Sequence, residues 1–377
     1  MIAKLKEVAQ NLENSFITQW KNYGKKVVGY TCTFIPEEIL HAASLLPYRV
    51  RGVGTTSLSI GDSYFGPVNC SFPKCMLQLA GDGSYKFLDG AIISNGCDSM
   101  RRLEECWRKA DDDYPGAKPA YYEYFSAPHK AVDYSISFYA EELQDMIASL
   151  EQYFKVKITS EALKKSIKLY NESRTLLQKL DSLRHRKDCP ITGEDALAIL
   201  IAGHAIPRED FNAMLKDILA QLEQSPGISD NKKRLMLIGS ASDDCEFVKV
   251  LEDAGAVVVA DTVCFGSRLH NSLVDELGDP IQALSAHYLN HSICPRMLGY
   301  YKDRKAYIQG IIDKAGVDGI ILQNVRFCDL HGSENGVLER DLEAAGVPCM
   351  RLEREYGPLV ETGRIRMRVD AFMERIA

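Results

Sequence analysis

Nowhere in this chain do cysteines stand as Cys-x-x-Cys, although there are eleven of them. That absence argues against a compact zinc-stabilised module and excludes a ferredoxin-type carrier, both of which gather thiolates at short spacing. No Gly-x-Gly-x-x-Gly turn follows the first strand-like run of either half, at residues 29–36 and 239–244, so a nicotinamide dehydrogenase fits poorly. A Gly-x-x-x-x-Gly-Lys-Ser/Thr loop is also missing, which leaves the chain no recognisable means of hydrolysing ATP by itself. No apolar run reaches the roughly 18 residues of a membrane span. The first ten residues, MIAKLKEVAQ, read as the start of an amphipathic helix, so a cytoplasmic protein with no membrane contact is expected. Positive charge is in deficit: 45 Lys and Arg against 52 Asp and Glu leave a net charge of -7. That balance offers nucleic acid no electrostatic footprint and bears only on solubility.

What is present is apolar periodicity. With 377 residues, 46% of them hydrophobic, the chain exceeds what one core usually supports, and two domains of roughly 150 residues are expected. Strand signals at 26–32, 48–52, 87–94 and 120–125 alternate with helical stretches. The first helix opens at Pro36, carries Glu37 and Glu38 in its first turn and runs to about residue 46; another is expected to be capped by Asp98. Residues 52–66 read as a Gly/Ser/Thr-rich loop leading to Cys70. From residue 134 to about 223 the period is helical throughout, and the polar segment 225–233, with Pro226 and Gly227, reads as a linker. A second series follows, with strands at 234–239, 256–261 and 317–323 and a helix at 243–254. The expectation is an α/β protein, partitioned as 1–133, 134–230 and 231–377, with a parallel sheet at each end and a helical region between. Similar strand-to-cysteine turns in both halves point to a loose structural duplication.

Six cysteines, Cys32, Cys70, Cys97, Cys264, Cys294 and Cys328, fall at loop positions across both halves, four of them directly after strand-like runs. A residue at the carboxyl end of a strand in an open α/β sheet points into the ligand crevice, so thiolates from two sheets can converge on one cofactor. A single buried cysteine is usually packing. Recurrence at strand ends favours a dispersed iron–sulfur site instead. An odd cysteine count in a long chain without a secretion signal points the same way, toward reduced thiols used for metal or redox chemistry. Cys75, Cys106, Cys245 and Cys349 are assigned to packing and Cys189 to a turn. Cys75 is the one that a one-turn shift would exchange with Cys70.

The stretches GYTCTFIPEE (29–38), NGCDSMRR (95–102) and FCDLHG (327–332), with EREY (353–356) and TGR (362–364), resemble the 2-hydroxyacyl-CoA dehydratase and benzoyl-CoA reductase family. The resemblance covers essentially the whole chain. It implies two flavodoxin-like parallel-sheet domains with a helical region, and a [4Fe-4S] cluster on three cysteines that match Cys70, Cys97 and Cys328. It also implies an ATP-hydrolysing activator, with its own [4Fe-4S] cluster, that supplies an electron at very low potential for a difficult reduction or a radical dehydration. The contexts of Cys32, Cys264 and Cys294 resemble the three additional ligands of double-cubane cluster proteins, which hold two bridged cubanes, [8Fe-9S], on six cysteines. The motifs around Cys328 and Glu355 look more like the CoA-ester enzymes. The alternative is therefore a single-[4Fe-4S] subunit acting on an acyl-CoA thioester. A homodimer, or a heterodimer with a related subunit, is implied either way.

Thr33 occupies the position that resembles the catalytic serine of the family's dehydratases, beside the cluster, although a threonine in such a turn equally serves to satisfy backbone groups. Glu37 and Glu38 read as favourable charges at a helix N-terminus. His331 is either a proton donor or sulfur partner near Cys328, or a solvated loop histidine. Arg101 and Arg102 would meet a CoA phosphate or the activator, or else are exposed helix charge.

Overall fold

Short apolar runs bounded by glycine and polar turns become strands, and the longer amphipathic runs between them become the covering helices. The computed structural model describes residues 1–228, 232–291, 293–357 and 362–377. Two helices, α1 (Ile2–Gln10) and α2 (Ser15–Asn22), precede a first series: β1 (Val27–Tyr30), α3 (Glu37–Ala42), β2 (Leu46–Arg49), α4 (Ser59–Tyr64), α5 (Ser71–Gly81), β3 (Gly90–Ser94), α6 (Asp98–Asp113) and β4 (Tyr121–Phe125). Four helices follow: α7 (Asp133–Phe154), α8 (Ser160–His185), α9 (Gly193–Ala202) and α10 (Arg208–Gln224). The second series is β5 (Lys233–Gly239), α11 (Cys245–Glu252), β6 (Ala256–Thr262), a 3-10 turn (Ser267–His270), α12 (Pro280–Leu289), α13 (Tyr301–Ala315), β7 (Gly319–Val325), α14 (Asp329–Ala344), β8 (Cys349–Arg354) and α15 (Thr362–Arg375).

Both sheets are wholly parallel and share one strand order, β2-β1-β3-β4 and β6-β5-β7-β8. The α/β class and the two parallel sheets expected from the sequence are thus present, and the chain folds into the same topology twice. That order reverses beside β1 in one sheet and beside β5 in the other, and such a switch point opens a crevice at the strands' carboxyl ends. The central strands β1, β3, β5 and β7 carry almost unbroken burial, as expected for sheets covered on both faces. One apolar core runs through both sheets, joining Ala91 and Ile93 to Leu235, Leu237 and Ile321 by way of α5, α9 and α11. A second core lies on the other face of the first sheet, where α12 comes back from the second series to pack with α7 beside Val28 and Ile92.

Several local expectations need correction. The first helix stops at Ala42, four residues early, because Ser44 takes a left-handed φ of 57°. The Leu45 N–H then reaches Leu40 O and the Ser44 N–H reaches His41 O, a Schellman ending. The second strand starts at Leu46 rather than 48, since Pro47 is tolerated on an edge strand. The loop at 52–66 contains α4, which lies so close to α5 that a β-carbon on Gly61 would stand 2.5 Å from Lys74 O. The N-cap of α6 is Cys97, with Asp98 one residue inside. Residues 229–231 of the linker and Ser292 in the loop before Cys294 lie outside the described residues.

Candidate functional site

Side-chain hydrogen bonds close the turns at the carboxyl ends of the central strands. Thr31, one residue beyond β1, accepts the Ser94 N–H at the end of β3 on its Oγ1, at 3.1 Å. Ser240, one residue beyond β5, accepts the Val325 N–H at the end of β7 at 2.8 Å. In both sheets a hydroxyl thus satisfies an N–H that the ladder leaves open where the neighbouring strand stops. Asn95 fixes the turn after β3 through two bonds to Ala127, accepting its N–H at 2.9 Å and donating to its carbonyl at 3.1 Å. The next residue, Gly96, approaches Cys32 so closely that a β-carbon there would meet Sγ at 3.0 Å.

Cys70, Cys97 and Cys328 are the N-cap residues of α5, α6 and α14. A helix N-terminus carries roughly half a positive charge and unpaired N–H groups, so three of them present an anion-attracting surface. None of the three thiols makes a conventional capping bond, yet the first-turn N–H groups of Phe72, Met100, Leu330 and His331 still favour negative charge on them. The start of α5 is held from the far end of the chain. Ser71 Oγ donates to Glu355 at 2.6 Å and accepts the Tyr356 N–H at 2.8 Å. The Tyr356 ring packs on Phe72 with centroids 4.7 Å apart, and its hydroxyl accepts the Gly52 N–H at 2.9 Å. The C-terminal EREY segment therefore places Cys70.

All six cysteines singled out in the sequence line one cavity, which Thr33 and His331 also border. The other five do not line it. Cys75 faces Tyr356 O at 3.8 Å while Cys70 lines the cavity, and Cys189 faces Ile191 O at 3.1 Å. Burial first, and then Cys328 beside it, push the Cys70 thiol up to about 12. Burial pushes Cys97 well up as well, helped by Cys70, Cys328 and Cys32. Cys294 is raised by burial, with Arg268 opposing and Cys264 and Cys32 adding to the rise. Cys328 is raised by burial and by Cys294. These mutual effects run across the whole set, with Cys97 influenced by Cys32 and Cys328 by Cys294.

Three buried arginines border the same cavity: Arg49, Arg268 and Arg296. Among the described residues none of them forms an ion pair, and each keeps at least one buried N–H without a partner. Arg49 donates to Cys264 Sγ at 3.1 Å. Buried cations without counter-ions are expensive, so this chamber is built for negative charge. Among the described residues no three His, Cys, Asp or Glu side chains close on the position of a single ion. A polynuclear cluster takes its thiolates at separate irons, which suits a dispersed set of soft donors better than one ion does. The residues fit an anionic iron–sulfur group.

A second buried chamber adjoins the first, and Thr33 and Arg49 border both. Glu37 lies in it. Burial would raise its carboxyl, but Arg208 and His204 beside it prevail and hold it well below the usual range. Tyr30 OH donates to Glu37 at 2.5 Å. Glu38 is fully buried, paired to Arg174 at 2.6 Å and accepting from Tyr288 OH at 2.7 Å. Both carboxylates thus bind long-range partners, which their reading as helix-end charge missed. His331 is buried, not solvated, and burial with Arg268 and Arg304 keeps its imidazole neutral. Arg101 and Arg102 are exposed on α6, where Arg102 pairs with Glu105. The three arginines of the cavity went unnoticed, and the available signal was a charge inside the otherwise apolar run LPYRV and another directly after Cys294-Pro295.

Two parallel α/β sheets that turn strand-end cysteines into one shared chamber define the class of protein. The family described as 2-hydroxyglutaryl-CoA dehydratase, D-component, matches residues 32–376, and the chain belongs to this family of dehydratase and benzoyl-CoA reductase subunits. A benzoyl-CoA reductase subunit of Thauera aromatica is 30% identical, covering 87% of this chain and 86% of its own. The (R)-phenyllactyl-CoA dehydratase beta subunit of Clostridium sporogenes is 24% identical over 98% and 97%. The (R)-2-hydroxyglutaryl-CoA dehydratase subunit beta of Acidaminococcus fermentans is 21% identical over 96% and 95%. The family expected from the motifs is therefore the family found. None of the described helices is long and apolar enough to cross a membrane.

Proposed function

We propose that this chain is a cytoplasmic cluster-bearing subunit that holds a double-cubane iron–sulfur group on Cys32, Cys70, Cys97, Cys264, Cys294 and Cys328. The group lies between the flanking segments 1–133 and 231–377. One observation carries this reading: six cysteines from both sheets, and none of the other five, border a single chamber. Bound there, such a group supplies electrons at very low potential, down to about −700 mV at the extreme. The protein's share of the work is placement and electrostatics. The helix starts of α5, α6 and α14 and the buried arginines offset negative charge, and the Thr31 and Ser240 hydroxyls fix the strand ends. Thr33 would orient a reacting group, a reading supported by its position on the border of both chambers. The chain lacks a nucleotide loop of its own, so an ATP-hydrolysing activator with its own [4Fe-4S] cluster is the electron donor, and a second copy or a related chain completes the enzyme.

A second reading is favoured by the 30% identity to a benzoyl-CoA reductase subunit. In it, only Cys70, Cys97 and Cys328 hold a single [4Fe-4S] cluster, and the substrate is an acyl-CoA thioester. Anaerobic reconstitution followed by iron and sulfide analysis separates the two. The double-cubane reading expects about eight irons per chain, falling sharply in Cys97→Ser, Cys264→Ala and Cys294→Ala, given four irons per cubane. About four irons, retained in full by Cys264→Ala and Cys294→Ala, selects the single cubane. A parent chain that takes up no iron overturns both.

A further inference from the structure

The three thiols that match the family's cluster ligands, Cys70, Cys97 and Cys328, and the three additional ones, Cys32, Cys264 and Cys294, meet different kinds of positive charge. Around Cys70, Cys97 and Cys328 the first-turn N–H groups of α5, α6 and α14 supply positive character. Around Cys32, Cys264 and Cys294 it comes from two full cations. Arg49 donates to Cys264 Sγ at 3.1 Å and lies over Phe265, with its guanidinium carbon 4.6 Å from the ring centroid. Arg268 borders the same chamber as Cys264 and Cys294, and its charge favours the ionised Cys294 thiol. It donates to Gly239 O at 3.4 Å, and among the described residues its Nη1 has no partner. Relative exposure is 1% for Arg49 and 3% for Arg268. Arg296 differs, because it donates to the Ala127 and Pro128 carbonyls at 2.9 Å each and so has a structural task in that loop.

We infer that Arg49 and Arg268 are charge-compensating positioning residues for the half of the cluster held by Cys32, Cys264 and Cys294, an assignment that rests on the six-thiolate reading. The physical reason is a charge balance. Three helix N-termini contribute roughly one and a half positive charges, at about half a charge each, and the two arginines contribute two, so neither half is left uncompensated. Uptake of one electron adds one negative charge without making or breaking a bond. A fixed cation beside the site then stabilises the reduced form more than the oxidised form. The arginines therefore raise the potential of their half above the value that its thiolates alone would set, and iron binding gives two otherwise costly buried cations their counter-charge.

The test compares parent, Arg268→Met and Arg268→Lys, each reconstituted with iron and sulfide under anaerobic conditions. Two quantities are read: the midpoint potential of the first reduction, and the rise in unfolding temperature when the iron-free chain is loaded. Arg268→Met should shift the potential to a more negative value and show a smaller rise on loading than the parent, whereas Arg268→Lys, which keeps the charge, should stay close to the parent in both. If Arg268→Met does not fold, Arg49→Met gives the same pair of readings. A parent that loads iron while the Met variants keep its potential and its rise on loading overturns the arginine assignment alone. A parent that loads no iron overturns the cluster reading beneath it.

Discussion

A methyl group added at Gly96 should remove iron from one half of the site, whereas the same addition at Gly29 should not. The β-carbon of Gly96→Ala would stand 3.0 Å from Cys32 Sγ and 3.5 Å from Cys32 Cβ. Unstrained contacts between such atoms lie near 3.5–4.0 Å, so the sulfur has to retreat by about 0.5–1 Å. A ligand position tolerates about 0.5 Å before its geometry fails, and the displacement reaches or exceeds that tolerance. Gly29→Ala is the matched control: its methyl would meet Val50 Cγ2 at 2.8 Å and Leu88 Cδ1 at 3.0 Å, neither of which borders the chamber. Overpacking typically costs about 1–3 kcal/mol in either place. Urea unfolding of the iron-free proteins should show comparable losses for both variants. Iron analysis after anaerobic loading should show the full complement in Gly29→Ala and loss of about four irons, one cubane's share, in Gly96→Ala. Full iron in Gly96→Ala, together with the same loss of stability as Gly29→Ala, would refute the placement of Cys32 as a ligand.

Two further outcomes are expected. Glu38→Gln leaves Arg174 buried without its counter-ion, and breaking such a pair costs about 3–5 kcal/mol, while Glu38→Leu combined with Arg174→Met should recover most of it; a single-variant loss below about 1 kcal/mol in urea melts contradicts the pairing. Burial, reinforced by Arg174, lowers His287 from its ordinary value to about 4. In that window the unfolded chain binds the proton and the folded one does not, so stability should be intact above about pH 6.5 and decline as the pH falls toward 4. His287→Gln should flatten that acid decline in thermal melts, and an unchanged slope would show that another group is responsible.

The sequence by itself determined the features that depend on near neighbours. Strand and helix periods, the cysteines just past strand ends and the polar turns before helices are all set within a few residues, and the two parallel sheets followed from them. The strand at Leu46–Arg49 escaped at its start because Pro47 is a breaker everywhere except on an edge, and edge position is a property of the sheet. Only the tertiary structure decided which cysteines face one another, and that Cys75 turns to Tyr356 while Cys70 turns to the chamber. It also decided that Glu38 meets Arg174 across 136 residues, Arg49 meets Cys264 across 215 and Ser71 meets Glu355 across 284. Such partners leave no local period to read. Their pairing follows from desolvation: once the sheets close, a buried charge or thiol must find its complement wherever in the chain that complement lies.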